Sequence, residues 1–341
     1  MLLNFSSKYS FSVPKTEFEK QVLEFVEEWF SPSTSLKVQT SGSTGTPKIF
    51  EVEKERMRYS AKMTCDFLGL KKGDTALLCL PVEYISGKMM LVRAIERGLK
   101  LIVRNPSISP LENLNHEVDF CAMTPLQVEN SLGKIHLIKN LIIGGASVSE
   151  KLKMAICHSL FANSQQRIYE TYGMSETLSH IALKSIFPND ENGFKCLNGV
   201  EISQDERGCL VVNAPKLNPE KLITNDLVEL ENNKEFRFLG RIDNIINSGG
   251  AKIFPEMLEA LVKKIIPNEV VFVGLRDEIL GQKLVLIVEG KESETIRHKL
   301  FAIVYEKPFH RPKEIIFIEK IPRTPNGKVN RLELFNFIRR E

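Results

Sequence analysis

Nine consecutive residues, Thr40-Ser41-Gly42-Ser43-Thr44-Gly45-Thr46-Pro47-Lys48, combine glycines, hydroxyls and one cation. Glycines let backbone N–H groups close around an anion, the hydroxyls add donors, and Lys48 adds charge. Such a run suits phosphate. Its Gly-x-x-Gly-x-x-Lys spacing is not the Walker pattern, which sets four residues between its glycines and follows the lysine with Ser or Thr. Here Ile49 follows Lys48. Far along the chain, Pro322-Arg323-Thr324-Pro325-Asn326-Gly327-Lys328 places a second lysine on a proline-rich turn. Alone, Lys328 reads as a terminal surface charge. A phosphate cradle plus a distant lysine on a small terminal unit fits the activation of a carboxylate with ATP.

Other candidates lie between them. In Glu170-Thr171-Tyr172-Gly173-Met174-Ser175-Glu176-Thr177, a tyrosine before glycine suits the face of a purine. Glu176 suits a Mg²⁺ that bridges phosphate oxygens. In isolation the segment reads first as a strand-end turn with a solvated glutamate, and beside the phosphate loop the functional reading prevails. Asn140-Leu141-Ile142-Ile143-Gly144-Gly145-Ala146 is an apolar run entering two glycines, which serve either a turn or a flat ligand. Asp226 and Arg241 pair an acceptor with a guanidinium, a combination suited to a ribose diol. Gly249-Gly250 offers a backbone strip against which a ligand can slide.

The elements that must position these groups alternate. The pattern gives a helix opened by Thr16 and Glu19 as a capping box, a strand into the glycine-rich loop, and a helix over Lys54 to Phe67. Strands at Thr75–Leu80, Leu99–Val103, Val118–Met123, Leu141–Ile143 and Arg167–Thr171 alternate with helices at 86–97, 125–132 and 149–161. Apolar strands separated by helices predict an α/β fold with a mostly parallel sheet covered on both faces. Ligands are then expected beyond the strand C-terminal ends. After about Leu183 short segments among Asn, Gly, Asp and Pro predict a small antiparallel sheet or barrel. Beyond Gly240 the pattern gives a compact α+β unit. The expected division is residues 1–240 and a small mobile domain, 241–341.

The charge balance, 46 Lys plus Arg against 43 Asp plus Glu in 341 residues, gives a net +3 and no basic stripe that would argue for nucleic acid. Six scattered cysteines show no metal-ligand spacing and read as reduced thiols of a cytoplasmic protein. No apolar run approaches a membrane span, and the N-terminus lacks the pattern of a signal peptide. The oligomeric state stays open, self-association included.

Together these segments resemble the acyl-adenylate-forming superfamily of acyl-CoA synthetases, luciferases and peptide-synthetase adenylation domains, from about Val38 to Arg331. Within it the chain is most similar to the o-succinylbenzoate–CoA ligase family of menaquinone synthesis, through Leu80-Pro81-Val82-Glu83-Tyr84-Ile85-Ser86-Gly87 and Ile246-Asn247-Ser248-Gly249-Gly250. The resemblance implies ATP, Mg²⁺ and coenzyme A as cofactors and a small carboxylic acid as substrate. It implies that Thr40, Ser41, Gly42, Ser43, Thr44, Gly45 and Lys48 hold phosphates. Gly144, Gly145, Ala146, Tyr172 and Gly173 would line the adenine, Asp226 and Arg241 would hold the ribose, and Glu176 would hold the metal. Lys328 would bridge carboxylate and α-phosphate, Asp243 would be the hinge, and Gly249-Gly250 would guide the pantetheine arm.

Tyr84, Lys88, Thr171 and Ser175 face the acyl group in this reading. For a dicarboxylate, Lys88 and Arg93 are candidates for the non-reacting carboxylate; a solvated helix face explains them equally. Asn225 departs from the glycine usual before the ribose aspartate, and the chain begins nearer its phosphate loop than longer relatives do. The alternatives are another aryl- or fatty-acid–CoA ligase, or a stand-alone adenylation enzyme that loads a carrier protein.

Overall fold

The computed structural model describes residues 1–6, 10–11, 13–39, 49–160, 165–323 and 329–338. The phosphate-loop candidates Thr40 to Lys48 and the lysine candidate Lys328 lie outside them. In chain order the first elements are β1 (Leu2–Asn4), β2 (Ser10–Phe11), α1 (Glu17–Phe30), β3 (Ser35–Gln39), β4 (Ile49–Glu53), α2 (Lys54–Leu68), β5 (Thr75–Leu78), α3 (Ile85–Arg97) and β6 (Lys100–Val103). Next come β7 (Val118–Met123), α4 (Pro125–Glu129), β8 (Ile138–Ile143), α5 (Glu150–Ser159), β9 (Arg167–Gly173), β10 (His180–Phe187), β11 (Phe194–Cys196), β12 (Glu201–Gln204), β13 (Cys209–Asn213), β14 (Leu222–Asn232) and β15 (Glu235–Arg241). The last are β16 (Ile246–Ser248), β17 (Ala251–Ile253), α6 (Pro255–Lys263), β18 (Val270–Asp277), β19 (Gly281–Glu289), α7 (Glu294–Phe301), β20 (Glu314–Ile318) and α8 (Arg331–Ile338).

Along β5, β7 and β8 successive residues enter opposite cores. Ala76, Leu78, Phe120, Ala122 and Ile142 join one core with residues of α1, α2 and α3. Leu77, Cys79, Cys121, Met123, Leu141 and Ile143 join the other with residues of α4 and α5. Period-two alternation with apolar residues on both faces is what a parallel sheet between two helix layers requires. The strands β6, β5, β7, β8 and β9 are parallel in that spatial order, so their C-terminal ends share one edge of the sheet.

The later strands do not form a sheet or barrel of their own, as their pattern suggested. They continue the large sheet antiparallel from β9, along the open path β9-β10-β11-β15-β14-β13-β12. The β9–β10 connection is a short turn of 3-10 helix, Ser175–Thr177, and so tight a return pairs neighbours antiparallel. A strand the sequence reading missed, β4, stands between the glycine-rich segment and α2, and pairs with β3 from Ser35↔Glu53 to Gln39↔Ile49. The segment 40–48, which carries the seven candidate phosphate-binding residues, thus lies in sequence between two paired strands.

The large sheet ends at Arg241, a 3-10 turn covers Ile242–Asn244, and a second sheet begins with β16. Its order is β17-β16-β19-β18, with β20 parallel on β19, around apolar cores that include residues of α6, α7 and α8. Arg323 and Val329, the described residues on either side of residues 324–328, pair as an antiparallel bridge.

Candidate active site

The shared C-terminal edge of the parallel strands gathers the central candidates. Gly144 follows β8, and a Cβ added to it would collide with Thr171 Oγ1 of β9. Gly145 has φ +86°, a conformation that side chains rarely adopt. These two glycines bring the loop flat against the end of β9. Glu170, not foreseen from sequence, anchors the same loop: its carboxylate accepts from Val148 N (2.9 Å) and pairs with Lys184 Nζ (2.8 Å).

Tyr172 and Asp226 meet directly. The tyrosine hydroxyl donates to Asp226 Oδ2 (2.5 Å), and the ring sits edge-on to Phe236 at 5.0 Å and tilted to Phe194 at 5.7 Å. Burial first, and the neighbouring carboxylate second, raise the phenol above its ordinary pKa, so it stays a donor. The other oxygen of Asp226 faces Arg241 Nη1 (3.3 Å), whose Nη2 donates to Asp243 (2.8 Å). Asn225 adds two contacts to Asp243, at 3.1 and 3.3 Å, and its own oxygen accepts from Arg207. The hydrogen bond from Arg241 holds the Asp243 carboxyl below its usual range. Residues read separately as ribose and hinge groups thus form one network in which every charge has an opposite.

Glu176 and Ser175 lie on the 3-10 turn after β9. Glu176 is exposed, and its carboxylate has no partner among the described residues. Thr177 clamps this turn: its hydroxyl accepts from Met174 N (3.1 Å) and contacts the carbonyls of Met174 and Ser179 at 2.9 and 2.7 Å. Leu178, buried, takes φ +65°, the one positive value outside glycine among the described residues. That strained conformation turns the chain so that Ser179 and His180 face inward.

There they meet Arg93. This residue of α3 is 2% exposed, and no ion pair reaches it among the described residues. Its Nη2 donates to Ser179 Oγ (2.6 Å), its Nη1 meets only Met90 Sδ (3.8 Å), and its Nε is buried with no partner. A guanidinium has five donors, so this one is largely unsatisfied. Burial pushes its pKa down to about 10. Lys88, the other candidate on α3, is engaged elsewhere: Nζ donates to the Lys37 carbonyl of β3 (3.1 Å) and lies over the Phe25 ring at 5.4 Å. Tyr84 precedes α3 and bridges to Gln39, the last residue of β3. Tyr84 and Lys88 therefore position the strand that enters the glycine-rich segment.

Gly249 and Gly250 have φ +56° and +81° and form the two-residue turn between β16 and β17. A type I′ hairpin turn demands positive φ at both positions, which gives this pair a structural reason beside any ligand. A Cβ on Gly240 would fall 2.6 Å from Glu256 Oε2 of α6, so the end of β15 closely approaches the second unit.

Residues 12–207 match the model of the AMP-binding enzyme family, and residues 259–328 match the C-terminal domain of AMP-binding enzymes. The chain belongs to the AMP-binding enzyme family. A 2-succinylbenzoate–CoA ligase of Listeria monocytogenes is 25% identical over 346 residues, covering 91% of this chain and 72% of that protein. One from Lactococcus lactis is 26% identical, over 87% of this chain and 70% of its own. A solved acyl-CoA synthetase (AMP-forming)/AMP-acid ligase II-like protein from Dyadobacter fermentans is 34% identical over 96% of both chains, with a TM-score of 0.64. An o-succinylbenzoate coenzyme A synthetase from Bacillus subtilis, solved with ATP and magnesium, shares the fold at a TM-score of 0.74 and 22% identity, over 88% of this chain and 69% of its own.

Among the described residues no helix is long and apolar enough to cross a membrane, and no three metal-ligating side chains cluster. All six cysteines are free thiols.

Proposed function

We propose that this enzyme is an AMP-forming ligase that joins a dicarboxylic acid, 2-succinylbenzoate, to coenzyme A through an acyl-adenylate, in a reduced cytoplasmic setting. The observation that carries the choice of acid is Arg93, a buried guanidinium with open donors and no counter-charge among the described residues. An isolated buried cation is costly. A substrate that brings a second carboxylate supplies the missing partner, and a fatty acid does not. The family and the names of the relatives support the same reading.

In the first half-reaction a carboxylate oxygen attacks the α-phosphate of ATP and pyrophosphate leaves. Asp226 accepts from the ribose, held in place by Tyr172 and Arg241. Thr40 to Lys48 hold the leaving phosphates, and Lys328 stabilises charge at the reacting oxygens. Glu176 fits a hard cation: its carboxylate, unpaired among the described residues, would supply one oxygen ligand. Mg²⁺ bound there neutralises phosphate charge. In the second half-reaction the thiol of coenzyme A attacks the acyl-adenylate and AMP leaves. Residues 241–341 turn about Asp243 between the steps, withdrawing Lys328 and presenting Gly249-Gly250.

The test offers purified protein ATP, magnesium, coenzyme A and a panel of acids, and measures AMP and thioester. Thioester from 2-succinylbenzoate well above that from fatty or simple aryl acids is expected. AMP formation with no such preference would remove the assigned acid, and no AMP with any acid would remove the reaction.

A further inference from the structure

Behind Arg93 lies a chain of hydrogen bonds whose proton positions follow from counting donors. Arg93 Nη2 donates to Ser179 Oγ (2.6 Å), Ser179 Oγ lies 3.4 Å from His180 Nδ1, and His180 Nε2 lies 3.0 Å from Thr64 Oγ1 of α2. Thr64 Oγ1 is also 3.2 Å from the Ser60 carbonyl, inside its own helix. Burial first and Arg93 second push the pKa of His180 well down, so the ring is neutral and carries one N–H. Two arrangements satisfy these contacts. In the first, Thr64 donates to Ser60, His180 donates from Nε2 to Thr64, and the Ser179 proton points at Nδ1. In the second, Thr64 donates to Nε2, Nδ1–H donates to Ser179, and the Ser179 proton is free to turn to another acceptor.

The first arrangement gives the Thr64, His180 and Ser179 donors each an acceptor when no anion is present. The second leaves the Ser179 proton without a protein acceptor, which a bound carboxylate would provide. We propose that His180 is a positioning residue that changes tautomer as the acid binds, so that Ser179 joins Arg93 as a second donor to the carboxylate. This rests on the reading of Arg93 as the anchor of the acid. Protons balance: one arrives at Nδ1 and one leaves Nε2 by exchange with water, and the cluster's net charge is unchanged. The Ser60 carbonyl loses only a secondary contact, since it keeps its place in the ladder of α2. The clamp of Thr177 on the Ser179 backbone holds that hydroxyl at the junction.

The experiment labels the full-length protein with ¹⁵N-histidine and reads the ring nitrogens with and without saturating 2-succinylbenzoate. One of the six histidines, absent from the spectrum of His180→Gln, is expected to pass from the Nε2–H to the Nδ1–H form. If none of the six changes tautomer while the acid is bound, the proposal is overturned, whether or not any variant folds. Kinetics give an independent reading. Ser179→Ala is expected to raise KM for 2-succinylbenzoate roughly 10-fold with kcat nearly unchanged, as for loss of a hydrogen bond to a charged group. His180→Asn, which keeps an amide near the Nδ1 position, should recover part of what His180→Phe loses. Equal falls in kcat for all of these would mean a merely structural cluster and would overturn the proposal. The anchor is tested separately by Arg93→Gln. An unchanged KM there removes the anchor itself, whereas a raised KM with a fixed tautomer removes only the relay.

Discussion

Two polar clusters flank β9 and β10, and they are built on opposite principles. On the side proposed for the nucleotide, Tyr172, Asp226, Arg241, Asp243 and Asn225 satisfy one another. On the side proposed for the acid, Arg93 is buried with one strong acceptor and no carboxylate partner among the described residues. The first cluster is organised by its own contacts, so losing one member should weaken it by degrees. The second holds a buried guanidinium without a counter-charge among the described residues, and in the proposed reading its central residue trades stability for selectivity.

The largest expected effect lies outside both clusters and sets their common scale. Lys328→Ala should slow adenylation by about 10²–10³, the loss expected for a well-placed charged donor. Thioester formation from preformed acyl-adenylate should stay nearly intact, and equal damage to both half-reactions would reject that role. Next, Arg93→Met should stabilise the ligand-free protein by about 1 kcal/mol or more, because a buried unpaired charge is replaced by an apolar chain of similar length. Thermal unfolding of variant and parent checks this, and a clear loss of stability would show that Arg93 has a partner in the fold.

Smaller effects belong to the paired cluster. Asp226→Ala should raise KM for ATP roughly 10-fold, the loss of a hydrogen bond to a charged group. Tyr172→Phe should raise it only about 2- to 10-fold, since one neutral donor is lost and the ring stays against Phe194 and Phe236. Should Tyr172→Phe prove as damaging as Asp226→Ala, the hydroxyl has a larger task than orienting the carboxylate. The smallest effect is one of pH. Arg241 lowers the Asp243 pKa in the folded protein, so this carboxylate adds stability above its unfolded pKa. That increment fades as the pH falls through the folded value. Acid unfolding of Asp243→Asn should lack the increment, which only a careful titration of stability against pH would detect.

What could be read from the sequence follows the same division. Glycine runs and alternating apolar strands are local signals, and they marked the fold; the same kind of signal singled out Tyr172, Asp226, Arg241 and Asp243, which the structure brings together. The capping hydroxyl of Thr16 accepts from Glu19 N as its spacing implied. β4 was missed because Ile49–Glu53 is short and charged and borders the glycine-rich run. The antiparallel strands after β9 announced their type and not their partners, because pairing to β9 depends on a turn set by the strained backbone of Leu178. On α3, Lys88 and Arg93 were equal candidates. Their separation rests on contacts remote in sequence, with Lys37 for the lysine and with Ser179 for the arginine. His180 gave one faint sign, a polar residue opening an apolar strand, and Thr64 gave none.

The central claim is that the open guanidinium of Arg93 receives the second carboxylate of the acid. It is tested most directly by a four-way comparison of kcat/KM. The parent and Arg93→Met enzymes are each given 2-succinylbenzoate and an analogue lacking the carboxylate that does not react. In the parent, deleting that carboxylate should lower kcat/KM roughly 10- to 100-fold, the range for a charge-assisted hydrogen bond. In Arg93→Met the same deletion should change it little. An equal loss in both enzymes would mean that this carboxylate is bound elsewhere.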